Sequence, residues 1–78
     1  MTKRDYAVTF AIELKNQLKN FGWTVEEIAK ESGINKGTIS KYISLDNDII
    51  PTLPTIINLA EAIGCSVDDL INYEEFVE

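Results

Sequence analysis

VEEIAKESGINKGTISKYIS, residues 25–44, sets the pattern that the rest of the chain follows. Gly33 sits between two short runs and offers the left-handed backbone position that ends a helix, because it has no Cβ to clash there. Ala29 puts a small side chain toward that turn, and Ile28, Ile34 and Ile39 fall where two crossing helices must touch. In the second run Ile39 and Ile43 share one face at helical spacing. Lys36, Gly37, Ser40 and Lys41 are thereby turned outward. The stretch predicts two short helices joined by a tight turn, the second presenting cations and a hydroxyl to solvent.

Capping signals extend this pattern in both directions. Upstream, a helix is expected from about Asp5 to Asn20, with Phe10, Leu14, Leu18 and Phe21 on one face and Gly22 at its end. Thr24 and Glu27 spell a capping box for the next helix, and Trp23 with Ile28 hold the staple positions around it. Asn35 is the expected cap of the helix after Gly33, where Ile34 and Ile39 repeat the staple spacing. Downstream, SLDNDIIP is too polar and acidic at its centre for a helix and is expected to be a loop. Thr52 is placed to cap a fourth helix, which tolerates Pro54 in its first turn. Ile56, Leu59, Ala60 and Ile63 give that helix an apolar stripe, and Gly64 ends it. Ser66 and Asp69 form another capping box, with Cys65 and Leu70 at the staple positions of a short fifth helix. No stretch reads as a strand.

The 78 residues make one domain, with a core over 5–72 and a short acidic tail at 73–78. A hydrophobic fraction of 45% is that of a chain that folds. One cysteine and no histidine exclude an internal disulfide and a zinc site of the usual ligands, and no cofactor is implied. Cys65 is expected to pack as a small apolar residue. No apolar run approaches the roughly 18 residues of a membrane span. Glu13 and Lys15 fall where a signal peptide would need its cleavage site, so a cytoplasmic protein is expected. With no histidine, and with carboxylates clustered at helix starts as caps, no nucleophile and base come together, and an enzyme is not expected.

The net charge of −6 is unusual for a chain with an outward cationic helix, but the charge is unevenly spread. Residues 1–41 hold all seven Lys and Arg against five acids, and residues 42–78 hold eight acids and no base. The local field matters more to a phosphate than the total.

LKNQLKNFGWTVEEIAKESGINKGTISKYI (residues 14–43) and LPTIINLAEAIGCSVDDLI (residues 53–71) resemble the Cro and repressor type of helix-turn-helix domain, also called the xenobiotic-response-element type. The resemblance implies an all-α fold, a compact five-helix bundle of the lambda-repressor-like type with its second and third helices as the helix-turn-helix. It also implies binding to double-stranded operator DNA, commonly as a dimer on a pseudo-palindromic site. Carried over by position, the base-reading places fall on Lys36, Gly37 and Lys41, with Thr38 and Ser40 beside them and Asn35 as the cap near the DNA backbone. The family often has a phosphate-binding Gln at the first residue of its second helix, where this chain has Val25. The loop after the recognition helix is often basic in the family; here it carries Asp46 and Asp48 and is about two residues longer.

A lysine can donate to guanine O6 and N7 or act as a point charge on phosphate. Gly37 reads no base, and its expected role is to let the backbone approach the groove closely. Further phosphate contacts could come from Thr24, from the amides of Val25 and Glu26, from Lys15 and Lys19 at i, i+4 spacing, and from an N-terminal arm with Lys3 and Arg4. Glu26 and Glu27 oppose an anion at the start of the second helix. The main expectation is a sequence-specific transcriptional regulator, a repressor of phage or bacterial type. A homodimer would be built through the last helix and the tail, with Ile71, Tyr73, Phe76 and Val77. The alternative is an acidic protein-interaction module, an antirepressor or antitoxin, with weak or no DNA binding.

Overall fold

The computed structural model describes residues 2–46 and 49–71. These form five helices and no strand: α1 (Lys3–Asn20), α2 (Val25–Ser32), α3 (Lys36–Tyr42), α4 (Leu53–Ile63) and α5 (Val67–Leu70). The expected fold class is the observed one.

Helix α1 begins two residues earlier than Asp5, because Thr2 and Asp5 form a capping box that the apolar pattern did not reveal. The Asp5 amide donates to Thr2 Oγ1 at 3.3 Å and the Thr2 amide to Asp5 Oδ2 at 2.8 Å. Lys3 and Arg4 therefore lie in the first turn of a helix and not on an arm. Ala7, Phe10, Ala11, Leu14 and Leu18 form the buried face of α1. Phe21 does not join them and is 52% exposed. The helix ends in a Schellman turn: the Trp23 amide reaches back to the Leu18 carbonyl at 2.8 Å and that of Gly22 to Lys19 at 3.2 Å, with Gly22 at φ +75°. This reversal brings Trp23, and not Phe21, onto the core.

The Thr24–Glu27 and Ser66–Asp69 capping boxes form as expected at the starts of α2 and α5. Thr52 stands at the N-cap of α4 but its hydroxyl caps no amide; it lies 3.2 Å from the Thr55 hydroxyl instead. Pro54 occupies the first turn, as anticipated. Phe10, Leu14, Ile28, Ile39, Leu59 and Leu70, drawn from all five helices, are wholly buried and make one core. Around it α2 packs on α3 and α4, while α1 packs on α3 and α5. Trp23 closes one edge, where its Nε1 donates to the Ile63 carbonyl at 3.0 Å, in the last turn of α4. The packing leaves α3 anchored by one face and open on the other.

Candidate nucleic-acid interface

The turn between α2 and α3 is built from more residues than its glycine. Gly33 takes φ +73° and its amide donates to the Ala29 carbonyl at 2.9 Å, which ends α2. Ser32 Oγ donates to the Ile28 carbonyl at 2.6 Å and accepts from the Ile34 amide at 3.2 Å, so one hydroxyl bridges the end of α2 to the chain leading into α3. Asn58, on α4, donates from Nδ2 to the Ser32 carbonyl at 2.9 Å. Sequence reading overlooked both. The Ser32 bond is a local pattern open to inspection, but Asn58 is 26 residues away and gives no local signal.

Helix α3 starts at Asn35, whose side-chain oxygen accepts from the Gly37 amide at 2.7 Å. Ile39 is fully buried; Tyr42 and Ile43 are half-buried and pack on the same core. Tyr42 meets Phe10 of α1 edge to face, with ring centroids 6.2 Å apart. The opposite face is open: Asn35, Lys36, Gly37, Ser40 and Lys41 are exposed, and Thr38 is half-buried at its edge. No acid interrupts the sequence from Lys36 to Ser44.

A profile of the helix-turn-helix family, of the Cro and repressor type, matches residues 14–70. The chain belongs to this family. Neither a curated protein nor a solved structure matches it. As a Cro/repressor-type domain it is a DNA-binding helix-turn-helix module of the kind that serves transcription regulation, in a family of regulatory domains and not of enzymes. Among the described residues no group of His, Cys, Asp and Glu could hold a metal ion, and no helix is long and apolar enough to cross a membrane.

In this Cro/repressor-type domain the candidate contact residues differ in their freedom. Lys41 is exposed and has no ion-pair partner among the described residues. Lys36 is exposed too, but its ammonium lies 2.8 Å from Glu26 Oε1, in the first turn of α2. The hydrogen bond and charge of Lys36 hold the Glu26 carboxyl below its ordinary range. Thr24 is exposed, and its hydroxyl already accepts from the Glu27 amide at 3.1 Å. That cap also ties the Thr24 amide to Glu27 Oε1. Lys15 and Lys19 stand exposed on α1. Cys65 is half-buried against the core, and burial, then the Asp69 charge, push its thiol up.

Proposed function

We propose that this domain is a sequence-specific transcriptional regulator, a repressor of phage or bacterial type acting in the cytoplasm, which inserts α3 into the major groove of double-stranded DNA. The observation that carries this reading is the two-sided character of α3: Ile39 is sealed in the core while Lys36, Gly37, Ser40 and Lys41 face outward with no acid among them. Lys36 and Lys41 read guanine edges or seat on phosphate, Ser40 and Thr38 supply hydroxyl donors, and Asn35 holds the helix start beside the DNA backbone. Thr24, Lys15 and Lys19 are further phosphate contacts. Each bidentate base contact gives about 1–3 kcal/mol of discrimination.

The reading includes a homodimer, with the last helix and tail as its proposed contact. Within that segment Leu70 is buried and Ile71 is half-buried against the core, so α5 itself offers little apolar surface to a partner. The contact would fall to Tyr73, Phe76 and Val77, which lie outside the described residues.

Selection from a pool of random duplexes, followed by a salt titration of wild type beside Lys36→Ala/Lys41→Ala, tests the proposal. It expects one enriched motif, binding that weakens steeply with salt, and loss in the double variant. A two-fold symmetric motif is the expected mark of the dimer. No binding even at low salt would favour the second reading, a protein-interaction module whose acidic half meets a basic partner. The eight uncompensated acids of residues 42–78 are what support that alternative.

A further inference from the structure

The Lys36–Glu26 pair spans 2.8 Å between the first residue of α3 and the first turn of α2. Its side chains are 58% and 75% exposed, so it adds little to the stability of the fold. Glu26 is not needed for the helix cap either, because Glu27 closes the box with Thr24. What the pair does is occupy one of the two cations on the outer face of α3. A carboxylate is the side chain most like a phosphate to an ammonium group, offering anionic oxygens at the same charge-assisted distance.

We propose that Glu26 is an internal competitor of DNA for Lys36, so that binding exchanges one anionic partner of the ammonium for another. This rests on the DNA-binding reading above and names the residue that sets its affinity and salt response. Glu26, a carboxyl with an ordinary value of 4.5 that Lys36 lowers further, is ionised at neutral pH, and the competition is present there. In the wild type, salt weakens the competing pair as well as the DNA contact. In a variant lacking the pair, salt weakens the DNA contact alone.

Glu26→Gln keeps the shape and removes the charge. Wild type, Glu26→Gln, Lys36→Ala and the double variant would be titrated with a selected duplex and with a random duplex between low and moderate salt, after thermal melting verifies that each is folded. Glu26→Gln is expected to bind both duplexes about three- to fivefold tighter at low salt, the scale of an exposed charge pair. Its log K against log salt is expected to be steeper than wild type by up to about 0.9, the release tied to one phosphate contact. In the Lys36→Ala background the gain from Glu26→Gln should fall to less than half. An equal gain in both backgrounds would overturn the proposal, leaving Glu26 as a general repulsive charge. Unchanged binding would also overturn it, and so would weaker binding, which would mean that Glu26 aims Lys36 at the DNA. Gain of binding by Glu26→Gln where wild type binds nothing would uphold it if Lys36→Ala removes that gain, and would overturn it if the gain survives. If neither binds at the lowest salt, the DNA-binding reading fails and the competitor with it, whereas wild-type binding that Glu26→Gln leaves unchanged sinks the competitor alone.

Discussion

Gly37 is the second residue of α3, and a Cβ added there would come within 3.0 Å of the Asn35 side-chain oxygen that caps the helix. Its missing side chain thus has a local reason besides closeness to a groove. Gly37→Ala should gain about 1 kcal/mol of helix propensity and lose a similar amount by displacing the Asn35 cap. Its thermal stability is therefore expected within about 1 kcal/mol of wild type, while DNA affinity falls if the backbone approaches the groove at this point. A melting curve and a binding isotherm on the same sample separate the two effects. Cys65 supports a second expectation. With its thiol pushed up by burial and by Asp69, alkylation at pH 7.5 should run slower than for a free small thiol, and unfolding should abolish the difference. A rate in the folded domain equal to that of the free thiol would contradict this placement.

Among the helices, the three capping boxes and the one unused cap make a natural comparison. Thr24 and Thr52 are both N-cap residues with extended backbone, yet only Thr24 accepts from its helix. Thr24→Ala should cost about 0.5–2 kcal/mol, with amide exchange accelerated in α2. Thr52→Ala should cost less than about 0.5 kcal/mol. Chemical denaturation of the two variants decides the matter, and equal losses would refute the assignment. Gly33→Ala forces a side chain into φ +73° and is expected to cost about 1–2 kcal/mol. These devices are local, which is why most of the helix starts and stops could be read from residue types and spacing. Thr2–Asp5 escaped because the helix was bounded by its apolar face, whose buried residues begin only at Ala7, one turn after the cap. Phe21 misled because its spacing suits the buried face, and only the Schellman turn shows that Trp23 takes the place.

For the whole molecule, a 78-residue domain has roughly 4–12 kcal/mol of stability in total, so one core truncation consumes much of it. Ile28→Ala or Ile39→Ala should each cost about 2–5 kcal/mol and leave a partly unfolded chain at 37 °C. Either variant melting like the wild type would show that the two isoleucines do not hold α2 and α3 to the core. Acid should weaken the fold as well. Asp5, through its hydrogen bonds from Thr2, and Glu26, through Lys36, titrate below their ordinary values of 3.8 and 4.5. Their contributions are complete above those values and vanish as pH falls through the lowered ones. Neither carboxyl is buried, so the melting temperature should hold steady from pH 7 to about 5.5 and lose only a little below about pH 4 on their account. Asp5→Asn/Glu26→Gln should show a smaller drop than wild type.

Much of this protein is legible in its residues alone. The Gly33 turn, the caps at Thr24, Asn35 and Ser66, the buried stripe of α4 and the open face of α3 all rest on neighbours within about one helical turn, and backbone sterics and helical periodicity suffice to infer them. Other features required distant segments to meet. Asn58 bracing the Ser32 carbonyl, Trp23 donating to Ile63 and Lys36 drawn to Glu26 depend on how the helices cross. The Lys36–Glu26 pair bears most on the proposed function, because it engages a cation that the sequence shows as free. No spacing rule reveals that, since the nine residues between the two charges fold back through a left-handed turn before the side chains come together.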